Sequence, residues 1–142
     1  MPERMSILSP TGHLGFTPIE RGSFEAGVAR RPDAIVADSG SCDIGPQPLG
    51  ADEHCSPEDW QRHDLELMLL AARRLGVPMI VGSASDTGTD RGVLQYAEIV
   101  RRLARRHGLA PFKLATICSE VGRAPVRGLY NRRGPRSTRL SG

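Results

Sequence analysis

Lysine, aromatic residues and paired cysteines are scarce in this sequence. Of 142 residues, 4% are aromatic, one is lysine, and three are cysteine, with no CxxC spacing among them. An odd cysteine count without such pairs argues against a disulfide framework and against a structural zinc site. No stretch of 18 apolar residues occurs, so the sequence predicts no membrane-spanning helix and no membrane partner.

Acidic residues are absent from positions 121–142, which hold six of the 18 arginines: Arg123, Arg127, Arg132, Arg133, Arg136 and Arg139. The whole chain has 19 basic and 16 acidic residues, so positions 1–120 have 13 and 16 and carry a charge of −3. The basic isoelectric point of about 9.1 therefore belongs to the tail and not to a basic globular surface. We expect no nucleic-acid partner. Because no secretory leader is recognisable, we expect a cytoplasmic protein.

The hydrophobic pattern of residues 1–120 predicts one α/β domain. Apolar strands are expected at 5–8, 34–37, 77–81 and 112–117, and helices at 23–29, from 57 to a stop at Gly76, and at 92–107. Ser56 is predicted to cap the second helix. The order β-α-β-α-β-α-β predicts a parallel sheet of about four strands with helices on both faces, an incomplete doubly wound domain.

Residues 121–142 form a separate Arg/Gly/Pro-rich tail, in which we expect disorder because no apolar periodicity occurs. The predominance of arginine over lysine fits a GC-rich coding sequence. We therefore hypothesise that the tail is a frameshifted or truncated end. A sheet edge left open by such a truncation would favour an oligomer or a partner chain.

Loops rich in Gly, Ser, Thr and Asp follow each predicted strand, at 9–15, 38–46, 82–92 and from 118 onward. In a parallel sheet, ligands bind beyond the carboxyl ends of the strands. Backbone N–H groups and short side-chain oxygens there can hold a phosphate or carboxylate. The candidate substrate- or anion-binding residues are Ser9, Thr11, Gly12, Gly40, Ser41, Gly45, Gly82, Ser83 and Asp86.

Three carboxylates in these loops, Asp38, Asp43 and Glu120, are candidates for general acid–base catalysis. The same oxygens could instead hold Mg²⁺, although the pattern identifies no definite metal or cofactor. Each candidate also fits a structural role: Gly12 fits an ordinary turn, and Asp38 and Asp86 fit turn or helix caps. His13 is expected to be a solvated loop histidine.

Several of these segments together resemble the N-terminal part of the acyclic terpene utilisation AtuA family. They are LSPTG at 8–12, DSGSCDIGP at 38–46, Leu49-Gly50, DLE at 64–66 and VGSA at 81–84. The loop at 38–46 is the most specific match, carried by Asp38, Ser41, Asp43, Gly45 and Pro46. The resemblance fades after Glu120, whereas members of the family continue with further α/β structure.

The resemblance implies an intracellular catabolic enzyme that acts on a small carboxylate or acyl-CoA-type substrate, as in the breakdown of acyclic terpenoids. We expect acid–base chemistry, with a hydratase- or lyase-like reaction as one form of it. A truncated chain of this kind could lack activity. The alternative is a non-catalytic small-molecule-binding or assembly module of the same fold.

Overall fold

The computed structural model describes residues 4–40 and 47–133, and it has an α/β fold with a parallel sheet. Its three strands, β1, β2 and β3, lie in that order and pair in parallel. The elements in chain order are β1 (Ile7–Leu8), α1 (Arg21–Val28), β2 (Ala34–Asp38), α2 (Gln47–Ala51), α3 (Glu58–Leu75), β3 (Met79–Gly82), α4 (Asp90–Arg106) and α5 (Arg123–Arg133).

The sequence predicted where the helices end better than where they begin. Gly76 follows α3 in the left-handed conformation, with φ of 72°, as a C-terminal glycine should. The prediction that Ser56 caps α3 is wrong, because Pro57 occupies that position and no side chain caps the helix. Glu20 caps α1 through Gly22 N and Ser23 N, and Thr89 caps α4 through Gly92 N.

The core lies on one face of the sheet. Ile35 and Ala37 of β2 join one cluster with apolar residues of α1, α3 and α4, and Leu8, Met79 and Val81 pack against that cluster from the neighbouring strands. Successive side chains of a strand point to opposite faces, so Ile7, Val36 and Ile80 belong to the other face. Among the described residues, helical cover on both faces is therefore not seen.

The expected fourth strand over 112–117 is absent, since this segment has no strand in the structure. Phe112 packs against the core and lies beneath the Arg73 guanidinium, 5.1 Å from its ring centroid. Arg73 belongs to α3, so the first anchor of the segment lies among the helices and not beside β3. The residues that follow stay in solvent, and Ile117 is 83% exposed.

Residues beyond Glu120 contain one element that the sequence did not predict, the helix α5. Its apolar residues Val126, Leu129 and Tyr130 are about half exposed. The last nine residues, 134–142, lie outside the described residues. None of the described helices is long and apolar enough to cross a membrane.

The conformation of Gly76 makes a test of the end of α3 possible. We expect Gly76→Ala to lower the free energy of unfolding by about 1 kcal/mol, because an L side chain in the left-handed region is strained. The space around Gly76 is open, so the cost is conformational and not steric. Urea unfolding would measure it, with Gly50→Ala as the control. Gly50 lies in α2 with similarly open surroundings and no positive φ, so its substitution should not destabilise the protein.

Candidate functional site

The carboxylate of Asp86 joins three separate segments at the carboxyl end of the sheet. Its Oδ1 lies 3.0 Å from His13 Nε2, in the loop that follows β1. Its Oδ2 accepts hydrogen bonds from Cys55 N at 3.2 Å, Ser56 N at 3.2 Å and Ser56 Oγ at 3.1 Å, immediately before α3. The Asp86 side chain is 1% exposed and that of His13 is 16% exposed. The two residues form a sheltered Asp–His pair.

Hydrogen bonding decides the charge of this pair. Burial alone would raise the pKa of Asp86, but the hydrogen bonds from His13, Ser56 and Cys55 outweigh burial and hold that pKa below its ordinary value. An ionised carboxylate only accepts hydrogen bonds, so His13 Nε2 must carry the proton in this contact. When His13 is neutral, its Nδ1 is then the basic nitrogen, as in other Asp–His pairs.

The ring of His13 is held from a second side by an aromatic contact. Phe16 stacks on it with a centroid distance of 4.9 Å and an interplanar angle of 11°. His13 N also donates to Thr11 Oγ1 at 3.2 Å, and Thr11 Oγ1 donates to the carbonyl of Thr17 at 3.2 Å. These contacts fix one orientation of the imidazole, and Thr11 acts by shaping the loop.

Asp64 on α3 fixes the position of the His13 loop. It is fully buried, and its two oxygens accept hydrogen bonds from Gly15 N at 2.9 Å and Ile19 N at 2.8 Å. Burial raises the pKa of Asp64 above its ordinary value, and the two backbone hydrogen bonds offset that rise only in part. Leu14 N donates to the carbonyl of Asp38 at 2.8 Å, which ties the same loop to the end of β2.

A short relay of polar groups supports Asp86 from behind. Gln61 Nε2 donates to Ser56 Oγ at 2.7 Å and to the Ser56 carbonyl at 3.2 Å, and Ser56 Oγ in turn donates to Asp86. Gln61 is fully buried, and its Oε1 has no hydrogen-bond partner among the described residues. Gly15, with φ of +81°, lies directly against Gln61, where a Cβ would be 2.6 Å from its Cγ.

The loop that carries Asp86 has a strained and tightly packed backbone. Ser83 and Ser85 have φ of 46° and 88°, a region that L residues rarely adopt. Gly92, in the first turn of α4, permits the close approach of this loop, since a Cβ there would be 1.8 Å from Ser85 Oγ. Ser85 Oγ and Thr87 Oγ1 lie 2.9 Å apart, in hydrogen-bonding distance. The loop is thus fixed to the start of α4.

Asp38 lies apart from this pair. By strand alternation its side chain points to the face opposite Ile35 and Ala37, and it is exposed. Its Oδ1 accepts a hydrogen bond from Gly40 N at 3.0 Å, and Gly82 is its register partner on β3. A Cβ on Gly40 would be 2.6 Å from Ser83 Cβ, so these two loops touch. Asp38, Gly40, Gly82 and Ser83 therefore form a second group at the same edge.

Of the remaining predicted residues, three lie in the part of the chain that the structure describes and three do not. Glu120 accepts a hydrogen bond from Asp90 N through Oε2 and donates its own N–H to Asp90 Oδ1, both at 3.1 Å, so it closes the start of α4. Ser9 Oγ is 3.5 Å from the Thr11 carbonyl, and Gly12 is exposed with open space around it. Ser41, Asp43 and Gly45 lie outside the described residues.

Sequence reasoning did not identify His13 and Ser56 as partners of Asp86, and it gave Gln61 and Asp64 no role in the site. A signal was present on α3, where Gln61 and Asp64 occupy the same helical face as Leu65 and Met68. Polar residues on an apolar stripe at spacings of three and four indicate buried hydrogen-bonding groups. Trp60, by contrast, fits the apolar pattern but is 46% exposed.

No group of three or more His, Cys, Asp or Glu side chains that could hold a metal ion occurs within 4–40 and 47–133. Of the carboxylates suggested for Mg²⁺, Asp38 and Glu120 lie in separate groups, and Asp43 is outside these ranges. Comparison with family models, curated proteins and solved structures gave no match to this chain. The Asp86–His13 pair is the group within these residues whose geometry suggests a chemical role.

The hydrogen bonds to Asp86 predict a pH-dependent contribution to stability. Its folded pKa is lowered, so its stabilising contribution is present above the ordinary pKa of an aspartate and is lost as the pH falls through the folded value. We expect Asp86→Asn to lower the free energy of unfolding by about 2 kcal/mol at pH 7. The deficit should shrink as the pH falls through the acid range towards 3.

Urea unfolding of both proteins at a series of pH values would measure this difference. Asp59→Asn is the matched control, because Asp59 is an exposed aspartate with a single surface partner, Arg62. A deficit for Asp86→Asn that is constant with pH would show that the charge of Asp86 does not stabilise the fold.

Proposed function

We propose that this protein is an enzyme that moves a proton on a small carboxylate or acyl-CoA-type substrate, with His13 as the proton-transferring group and Asp86 as its positioning residue. The supporting observation is the 3.0 Å contact between His13 Nε2 and the buried, ionised carboxylate of Asp86. Such a carboxylate orients a histidine and stabilises the imidazolium that forms when the ring accepts a proton.

The chemistry proceeds from the free nitrogen of the ring. His13 Nδ1 accepts a proton from a carbon or oxygen of the substrate, and the positive charge that develops is balanced by Asp86. Cys55 N, Ser56 N and Ser56 Oγ keep the carboxylate in place during this step. The same group then returns the proton to product, as hydratase- and lyase-type reactions require.

The proposed substrate class is supported by the backbone at the carboxyl edge and by the family resemblance. Gly12 leaves open space in the loop that carries His13, and Gly40 and Ser83 border the same edge beside Asp38. Such loops offer N–H and O–H donors to an anion. The resemblance to the AtuA family adds acyclic terpenoid acids and their coenzyme A thioesters as the first compounds to try.

A non-catalytic binding module is the second candidate, and one observation favours it. Asp38 is the first residue of the loop at 38–46 that resembles the AtuA family. Its side chain lies on the face of the sheet opposite the core and the Asp86 network. A site that lacks Asp38 as its acid would bind its ligand without catalysing reactions that need an acid distinct from the base.

Exchange of substrate protons with solvent distinguishes the two candidates. We expect the protein to exchange the α-protons of an accepted carboxylate or acyl-CoA thioester in D₂O, as followed by ¹H NMR. His13→Gln keeps an amide donor for Asp86 but removes the basic nitrogen. It should slow the exchange by about 100-fold or more and leave ligand binding by calorimetry unchanged.

His107→Gln is the control, because His107 is a surface histidine paired with Glu66 and far along α4 from the site. It should leave the exchange rate unchanged. Binding without any exchange in the unmodified protein would favour the binding module. Equal exchange rates for His13→Gln and the unmodified protein would remove His13 from the mechanism.

A further inference from the structure

One face of the sheet carries apolar side chains that no helix among the described residues covers. Ile7 is 57% exposed and Ile80 is 52% exposed. Val36 is the register partner of Ile80, and Ile7 pairs with Ala34, two residues before Val36 on the same face of β2. Parallel sheets in proteins are almost always covered on both faces. We call the surface formed by Ile7, Val36 and Ile80 the open face.

The helix α5 carries an apolar stripe that is exposed in the same way. Val126, Leu129 and Tyr130 are spaced by three and four residues, so they lie on one side of the helix. They are 53%, 49% and 58% exposed. Together with Val121 and Arg127, Val126 and Tyr130 border a surface cleft of about 410 Å³. The stripe is the part of α5 that can bury apolar area.

We propose that the α5 stripe of a second copy of this chain docks on the open face, in a reciprocal two-fold dimer. The dimensions agree: α5 has 11 residues and is about 16 Å long, and β2 has five residues and spans about 16 Å. A two-fold arrangement uses each contact twice, so it covers both open faces and both stripes.

Charge complementarity favours the same arrangement. The described part of α5 carries arginines and no acidic residue, and Arg123 and Arg127 belong to the same helix as the stripe. The open face is bordered at its carboxyl end by the exposed Asp38, which lies on that face by strand alternation. The acidic end of the face thus matches a basic helix.

The short connection to α5 disfavours docking within one molecule. Glu120 is bound to the start of α4 by its two hydrogen bonds with Asp90, and α4 lies on the covered face. Three Cα–Cα steps separate Glu120 from Arg123 and span at most about 11 Å. Crossing from the α4 layer through the sheet to a helix on the other face requires about 20 Å, at about 10 Å per layer.

Sedimentation equilibrium of the full chain tests the dimer. We expect a monomer–dimer equilibrium in which Ile80→Asp and Leu129→Asp each raise the dissociation constant at least tenfold, because each buries a charge in both contacts. Leu94→Asp is the matched control, since Leu94 on α4 is 51% exposed and should leave the constant unchanged. Circular dichroism would confirm that each variant folds. Leu129 lies on an exposed helix outside the core, so its variant keeps the test valid if Ile80→Asp fails to fold.

A mixture of the two variants gives the sharpest result. The Ile80→Asp copy retains its stripe and the Leu129→Asp copy retains its open face, so the mixture should regain one of the two contacts and dimerise more tightly than either variant alone. A monomer at all concentrations overturns the proposal. A dimer whose dissociation constant does not change with Leu129→Asp also overturns the proposal. A dimer formed by pairing at the β3 edge would behave in that way. A third result also overturns the proposal: each variant is a less stable monomer, and mixing the two variants does not restore a dimer. That result would indicate that α5 docks within one molecule.

Discussion

The buried carboxylate of Asp86 is the interaction on which the carboxyl end of this sheet depends. A carboxylate with so little solvent is unfavourable unless hydrogen bonds replace its lost hydration. Here four hydrogen-bonding contacts do so, and they come from the loop after β1 and from the segment before α3. The need to satisfy one charge therefore brings together segments that are 30 or more residues apart in the sequence.

The topology explains why this junction lies on one side of the sheet. The strand order β1-β2-β3 advances in one direction, and right-handed crossovers then place all connecting helices on the same face. Ser56 and Gly92 adjoin the first turns of α3 and α4 on that face, so the Asp86 network forms there. Asp38 leaves β2 with its side chain on the other face. The carboxyl edge of the sheet thus carries two chemically different groups, the buried Asp86–His13 pair on one face and the exposed Asp38 on the other.

The elements that depend on local periodicity could be predicted from the sequence, and the long-range choices of partner could not. The stripe of Leu65 and Met68 predicted α3, and Gly76 predicted its end. Ser56 has the sequence of a helix cap, but its hydroxyl donates to Asp86, 30 residues away, and accepts from Gln61 Nε2, so it does not cap α3. The segment at 112–117 has a strand-like composition, but the attraction of Phe112 to Arg73 and the core leaves it without a strand partner.

The split between the two faces also bears on which residue we propose as the proton-transferring group. An exposed carboxylate such as Asp38 is oriented, among the described residues, by the N–H of Gly40, and water competes for its charge. His13 is fixed by Asp86 at one nitrogen and by Phe16 at one ring face, which is the preorganisation that proton transfer requires. If a second copy covers the open face, its arginines lie near Asp38 and would pair with that carboxylate across the interface. Association and catalysis would then use opposite faces of the same strand end, so the dimer leaves His13 accessible.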